Sequence, residues 1–204
     1  PADLKGKRVG TIERTSAHYF AYMYLVEHRV DPAAVKISFY PPAELPDALK
    51  NGKVDAIAAF EPYAYHAGSA LPGQTVTLPL SMLFRETFNL VTMKAWAGQH
   101  PETLKKIMRA VDKAVTFIKQ NKQESIVILV NNTKFLSKEM LDAVWDDYIY
   151  QLSLDNSMLT ALEDEARWAI KNKLVDARTI PNYLDYYYLD AMKAVKPDAV
   201  SVVK

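Results

Sequence analysis

The sequence predicts an α/β fold in which a mainly parallel sheet occupies the first half and helices make up the second. Over residues 1–92, short runs rich in Val, Ile, Phe and Ala alternate with stretches of helical pattern. From Lys94 onward, apolar residues recur at helical spacing instead. Strands that alternate with helices favour βαβ units, whose strands are parallel. We therefore predict two parts, residues 1–92 and residues 93–204.

Three short apolar runs are the predicted strands of the first half, and helical stretches separate them. The strands are Arg8–Ile12, Val35–Tyr40 and Val54–Phe60, and the helices are Ala17–His28 and Glu44–Lys50. The second helix ends on Asn51-Gly52, a pair that favours the left-handed conformation that terminates helices. A further strand is predicted at Thr87–Thr92, at the end of this half.

The second half carries four predicted helices. His100–Gln120 is the clearest, because its apolar residues lie along one helical stripe. The stripe consists of Leu104, Ile107, Met108, Val111, Ala114, Val115 and Ile118. The other helices are predicted over residues 138–152, 156–173 and 180–195. Ser137 is the expected N-cap of the first of these three, and Trp168 is expected on the buried face of the next.

Composition and charge exclude several classes of function. The chain has 204 residues, a formal net charge of +1 and no cysteine. Its Lys and Arg residues are spread along the chain, so no nucleic-acid partner is predicted. The lack of cysteine excludes disulfides, thiolate nucleophiles and cysteine-ligated metals. The four histidines show no ligand spacing, so neither a metal nor another cofactor is predicted.

The stretch RVGTIERTSAHYF, residues 8–20, carries the main candidate site. A strand here runs through a polar turn into a helix, and α/β sheets bind ligands at such places. The free backbone N–H groups and the dipole at a helix start favour an anionic group. The hydroxyls of Thr15 and Ser16 add donors, and His18 follows in the first helical turn. We therefore expect these three residues to bind a small anionic molecule.

Two other interpretations of the same stretch stay open at this point. Ser16 and His18 also resemble a nucleophile with its base, but that arrangement needs a third, orienting group. The sequence has no G-x-S-x-G turn there, and we predict no catalytic residue. Alternatively, Thr15 or Ser16 only caps the helix.

Two segments together resemble a known family of binding proteins. The segments DLKGKRVGTIERTSAHYFAYMYL and ALKNGKVDAIAAFEPYAYHA contain its features in order, at Asp3–Val9, Thr15–His18, Ala48–Ala56 and Glu61–Tyr63. They resemble periplasmic substrate-binding proteins of ABC importers for nitrate, sulfonates, taurine and thiamine precursors, the NMT1/THI5-like family. The likeness is greatest to the aliphatic-sulfonate and taurine binders. HPETLKKIMRAVDKAVTFIKQN resembles the long helix that follows the family's return to its first lobe.

The resemblance implies a type II periplasmic-binding-protein fold with two lobes. Residues 1–92 would form the second lobe and one ligand-binding wall, and residues 93–204 the helical part of the first lobe. It implies a periplasmic or extracytoplasmic solute-binding component, not an enzyme. This component would hold a small anionic molecule, such as a sulfonate, taurine or nitrate, and deliver it to the membrane subunits of an ABC importer.

Two alternatives to an importer component remain within the same fold. One is an extracellular sensor domain, and the other is an enzyme of menaquinone- or thiamine-pathway type. The pyrimidine-synthase relatives of the thiamine pathway carry a cysteine-rich motif, and this chain has no cysteine. No active-site motif of the menaquinone-pathway enzymes is found in the sequence.

Three further residues are candidates for ligand binding. By the resemblance, Glu61 and Tyr63 line the cleft, although Pro62 between them also favours a simple helix start. Arg85 lies just before the predicted strand Thr87–Thr92, near the predicted crossover between the lobes. It either neutralises a sulfonate or carboxylate by a bidentate contact or is an ordinary surface ion-pair partner.

The resemblance also implies a segment that this chain lacks. Members of the family carry an N-terminal segment before the D-L-K-G strand, and it supplies most of the first lobe's sheet. Because the chain starts at Pro1 without Met, we expect it to be a processed or excised piece of something longer. The apolar stripe of His100–Gln120 then needs another cover. Either the helices pack on one another or a second copy of the chain covers them as a homodimer.

Overall fold

The chain forms two compact units. A computed structural model describes residues 1–81 and 83–202. The first unit is Pro1–Glu86 and the second is Thr87–Lys204. Among the described helices, none combines the length and the apolar character that a membrane span requires. The assignment of the two units to the two lobes of a binding protein stays a prediction.

A three-stranded parallel sheet forms the centre of the first unit. Its strands are β1 (Arg8–Thr11), β2 (Lys36–Phe39) and β3 (Ala56–Ile57), in the order β2-β1-β3. Val9 of β1 is in register with Ile37 on one side and Ala56 on the other. The parallel sheet predicted from the sequence is thus confirmed. β3 is shorter than the predicted run Val54–Phe60, although the Ala58 N–H still donates to the Gly10 carbonyl at 2.9 Å.

Helices cover both faces of this sheet. The first unit contains α1 (Ser16–Glu27), α2 (Leu45–Lys50) and α3 (Tyr63–Ala70). Leu25 of α1 packs with Val9 on one face of β1. On the opposite face a Cβ added to Gly10 would lie 3.1 Å from Leu45 Cδ2 of α2, so the helix approaches the strand closely. Gly52 has φ +64°, as the predicted left-handed helix end requires.

The second unit is helical, as predicted. Its helices are α4 (Lys94–Gln99), α5 (Pro101–Gln120), α6 (Lys122–Asn132), α7 (Lys138–Val144), α8 (Asn156–Lys171) and α9 (Leu189–Val195). Ser137 is the N-cap of α7, and its hydroxyl accepts from the Met140 N–H at 3.1 Å. The helix predicted over residues 138–152 ends early, because a 3-10 turn at Trp145–Asp147 follows Val144. Trp145 is thereby placed in a buried cluster.

The apolar stripe of α5 is only partly covered. None of the 20 residues of this helix is buried, and Ile107 is 39% exposed. α5 packs against α9, and Lys196 just beyond α9 forms an ion pair with Asp112 of α5. The buried clusters of the second unit are centred on Ile126 and on Leu189, and from the stripe Ile118 packs against the Ile126 cluster. The proposed homodimer therefore stays a prediction.

Two further sequence predictions are wrong in detail. Residues Thr87–Thr92 form no strand in the described part of the chain, since no neighbouring strand provides backbone partners. Phe88 and Val91 in this segment are 83% and 89% exposed. The prediction for Trp168 is different: it was expected on the buried face of its helix, and it is half-buried in α8 with its Nε1 atom buried. The helix predicted over residues 180–195 is shortened to α9, which a short 3-10 helix at Tyr183–Tyr186 precedes.

Candidate functional site

The candidate site lies at the carboxyl edge of the sheet, where two turns meet beside β1. From β1 the chain passes through α1 to β2 on one side and then returns to β3 on the other. The direction of winding therefore changes at β1, and such a switch point is where open α/β sheets bind ligands. The buried Thr11 hydroxyl at the end of β1 donates to the Ala58 carbonyl just after β3 at 3.0 Å. This bond fixes the two turns side by side.

The turn between β1 and α1 is held by its own hydrogen bonds. Thr15 is the N-cap residue of α1, but its hydroxyl donates to the Ile12 carbonyl at 2.7 Å instead of capping the helix. Arg14 adopts the left-handed conformation with φ 59°. This conformation is uncommon for residues other than glycine and is often found at functional turns. The N–H of Arg14 donates to Nδ1 of His18 at 3.4 Å, so the turn folds back onto the helix.

Ser16 opens α1, and its hydroxyl contacts a carboxylate distant in sequence. The N–H groups of Ser16 and Ala17 have no acceptor within the helix, because they belong to its first turn. The Ser16 hydroxyl donates to Glu86 Oε1 at 2.6 Å. A carboxylate therefore lies at the start of α1, where the sequence predicted an anionic ligand.

The last residues of the first unit run along α1, and we refer to Ser81 and residues 83–86 as the strap. At the far end of the helix, Ser81 Oγ donates to Glu27 Oε2 at 2.5 Å. The ring of Phe84 lies 5.4 Å from that of Phe20, centroid to centroid. The Glu86 contact with Ser16 completes the path at the helix start. Three contacts at successive positions thus hold the strap on α1.

His18 is half-buried in the first turn of α1. Its ring meets the ring of Phe39 edge-on, with 4.7 Å between centroids. Burial lowers the pKa of His18 below its ordinary value, although the nearby Glu13 acts in the opposite direction. Because Nδ1 accepts from the Arg14 N–H, the neutral ring carries its proton on Nε2. Burial thus favours the neutral form of His18, in which Nε2 is the donor.

The turn between β3 and α3 contains Glu61 and Tyr63. Glu61 Oε2 accepts from the Tyr65 N–H at 2.9 Å, so this carboxylate satisfies the first turn of α3. Tyr63 begins the helix, and its ring lies 5.8 Å from that of Phe60. The peptide bond between Glu61 and Pro62 is cis. Glu61 thus acts at a helix start, as one of the two sequence interpretations proposed, and its role toward a ligand stays a prediction.

Arg85 is exposed and lies within the strap. Its neighbours Phe84 and Glu86 both contact α1, so the backbone of Arg85 runs beside the first half of that helix. The six predicted residues divide into three groups: Thr15, Ser16 and His18 on the first turn, Glu61 and Tyr63 on the second, and Arg85 on the strap. Their contact with a ligand stays a prediction.

Sequence reasoning missed three residues of this region. They are Arg14, Phe39 and Glu86, which contact the start of α1 or shape the turn before it. The position of Arg14, in a turn that leads from a strand into a helix, was an available signal. No sequence signal pointed to Glu86, because it lies 70 residues from its partner Ser16.

The site shows no arrangement typical of metal binding. Over residues 1–81 and 83–202, no group of three or more His, Cys, Asp or Glu side chains is placed to hold a metal ion. Ser16 directs its hydroxyl proton to Glu86, while Nδ1 of His18 accepts from Arg14. These contacts are not those of the Ser–His pair considered above.

Comparison with known proteins identifies the family. The model of the NMT1-like family matches residues 1–130. The chain belongs to the NMT1-like family. Among curated proteins, no sequence matches the chain.

Two solved structures are similar to this member of the NMT1-like family. One is the periplasmic aliphatic sulphonate binding protein SsuA from Escherichia coli, at 18% identity and TM-score 0.70. The alignment covers 93% of this chain and 65% of that one. The other is the alkanesulfonate-binding protein SsuA from Xanthomonas axonopodis pv. citri bound to MOPS, at 20% identity and TM-score 0.68. That alignment covers 88% of this chain and 62% of that one.

These likenesses confirm the predicted fold class, the α/β type II binding-protein fold. The chain spans less than two thirds of the length of either relative, 65% and 62%. Both relatives are described as binding proteins and not as enzymes.

Proposed function

We propose that this protein is the solute-binding component of an ABC importer and that the carboxyl edge of its first-unit sheet binds a small organic anion. The observation that carries the proposal is the start of α1 at the switch point beside β1. Unpaired N–H groups and the helix dipole favour an anion there. A sulfonate is the favoured class, because both similar structures are sulfonate-binding proteins.

Two arginines whose backbones lie near this edge are assigned to pair with an anionic ligand. Arg14 lies in the turn before α1, and Arg85 lies in the strap beside the helix. Guanidinium groups bind sulfonates and carboxylates with two parallel hydrogen bonds. We assign to Ser16 and His18 the role of donors to the ligand, and to Tyr63 an apolar contact from the neighbouring turn.

In this proposal the protein binds the anion and releases it unchanged, without converting it chemically. We place it outside the cytoplasm, as for the periplasmic relative, with the membrane subunits of an importer as its partners. The ligand is held between two lobes that close around it, a movement common among binding proteins. The first unit would provide one wall of that cleft.

Calorimetric titration with a matched pair of ligands tests this function. We expect 1-butanesulfonate to bind and 1-butanol to show no measurable binding, because the two share an alkyl chain and differ in the anionic group. Mass spectrometry should recover the sulfonate unchanged after prolonged incubation. Equal affinity for both ligands would contradict an anion site, and a converted ligand would contradict a binding protein.

A further inference from the structure

We propose that Glu86 is a built-in competitor of the anionic ligand and sets the affinity of the site. The inference rests on the proposed function, since it concerns the same start of α1. Its basis is the 2.6 Å hydrogen bond from the Ser16 hydroxyl to Glu86 Oε1. A serine hydroxyl has a single O–H donor. Glu86 and a bound anion therefore cannot both accept the proton of Ser16.

The position of Glu86 is fixed by more than this one bond. Two residues earlier, the ring of Phe84 lies 5.4 Å from Phe20 and 5.8 Å from Tyr19 on the same helix. At the far end of the strap, Ser81 is hydrogen-bonded to Glu27. The backbone beside Glu86 is thus tethered to α1, and the carboxylate stays near Ser16 even when the bond between them breaks.

The carboxylate has the same chemistry as the ligand proposed for this place. It is negatively charged at pH 7, and it benefits from the dipole at the helix start as an external anion would. An entering sulfonate must therefore take the Ser16 proton from Glu86 and tolerate a second negative charge nearby. Both effects weaken binding of simple anions, so the net affinity depends on Glu86.

Removing the carboxylate should tighten anion binding. Glu86→Gln keeps the size of the side chain but removes its charge, and Glu86→Ala also removes the acceptor. We expect each variant to bind 1-butanesulfonate about tenfold more tightly, since a hydrogen bond to a charged group is of that order. Asp3→Asn is the matched control, because it removes one negative charge before β1, at the opposite edge of the sheet. It should bind like the wild type.

A double-mutant cycle sharpens the test. In the wild type, Ser16→Ala removes a donor that Glu86 already occupies, so the loss of affinity should be small. In the Glu86→Ala background the hydroxyl of Ser16 is available to the ligand, and Ser16→Ala should weaken binding by roughly tenfold or more. The dependence of one substitution on the other is the signature of competition for one proton.

Isothermal titration of 1-butanesulfonate into wild type, Glu86→Gln, Glu86→Ala and Asp3→Asn distinguishes the outcomes. Tighter binding by both Glu86 variants alone supports the inference, and so does binding by them when the wild type shows none. Equal or weaker binding by the Glu86 variants overturns it and leaves the proposed function standing. If 1-butanesulfonate binds to none of the four proteins, the proposed function is wrong and the inference is overturned with it.

Discussion

The two units of this chain differ in how completely their secondary structure elements are buried. In the first unit, helices cover both faces of a parallel sheet, and Leu45 between α2 and β1 is 0% exposed. In the second unit, the 20-residue helix α5 has a regular apolar stripe, yet none of its residues is buried. The fully buried residues there belong to two clusters around Ile126 and Leu189, and Ile118 of the α5 stripe packs against the first of them while staying half-buried.

The difference shows what a local pattern can determine. In a βαβ unit the strand and the helix that cover each other are neighbours in sequence, so the pattern that forms them also brings them together. The stripe of α5 determines a helix in the same way, but it does not determine the surface that covers it. Substitutions in the two units measure how much the burial of each element contributes to stability.

The largest expected effect is in the closed core of the first unit. Leu45→Ala should lower the free energy of unfolding of that unit by about 2–5 kcal/mol, because it leaves a cavity beneath β1. Residue-resolved hydrogen exchange of the β1 amides measures the effect. A loss below about 1 kcal/mol would mean that the first unit is packed no more tightly than α5.

A matched pair of Ile substitutions tests the contrast within the second unit. Ile126→Ala should cost about 2–5 kcal/mol, because Ile126 is 0% exposed and packs with Trp145. Ile107→Ala on α5 should cost less than about 1 kcal/mol, because Ile107 is 39% exposed. All three tryptophans lie after residue 87, so urea unfolding followed by tryptophan fluorescence reports on this unit. Similar losses for the two variants would show that the α5 stripe is covered in solution.

A pair of glycine substitutions probes the close approach between α2 and β1. Gly10→Ala should cost about 1–3 kcal/mol, because the added Cβ would lie 3.1 Å from Leu45 Cδ2. Gly68 in α3 is the control, since an added Cβ there meets nothing within 4 Å. Gly68→Ala should stabilise the unit by roughly 0.5–1 kcal/mol. Thermal unfolding measures both, and opposite signs are expected; a stabilising Gly10→Ala would refute the close packing.

A smaller effect is expected from the ion pair at the amino edge of the sheet. Arg8 Nη2 lies 2.6 Å from Asp55 Oδ1, and the Arg8 backbone N–H also donates to this carboxylate. These bonds from Arg8 hold the pKa of the Asp55 carboxyl well below its usual range. The stabilisation is therefore complete above the unfolded-state pKa of about 3.9 and is lost as the pH falls below it.

Comparison of wild type with Asp55→Asn measures this contribution. The difference in urea midpoint should be present at pH 7, smaller in high salt because both groups are partly exposed, and smaller again near pH 3. A difference that is the same at pH 7 and near pH 3 would show that the ionised pair contributes nothing to it.

The sequence was sufficient to predict the structural features that depend only on residues close together in the chain. The strand around Val9, the helix end at Gly52 and the cap at Ser137 each follow from a local rule, and each is confirmed. The turn before α1 was located, but the left-handed conformation of Arg14 was not, since neither Gly nor Asn marks it. The strand predicted at Thr87–Thr92 failed because a strand also requires a neighbouring strand.

The candidate site shows the same difference between residues that are close in sequence and residues that are distant. Ser16 was identified because the strand, the turn and the helix are contiguous in sequence. Its partner Glu86 was not identified, since the contact arises only when the strap is placed along α1, 70 residues later. Sequence patterns thus predicted the hydroxyl at the start of α1 but not the carboxylate that it contacts.

Backbone amide chemical shifts during titration with 1-butanesulfonate show whether the start of α1 binds small organic anions. We predict that the largest changes occur at Ser16 and Ala17, whose N–H groups open the helix, with smaller changes in the turn at Glu61–Tyr63. 1-Butanol should leave the same signals unmoved. Largest changes among the amides of the second unit, or at the amino edge of the sheet around Asp31, would contradict the claim.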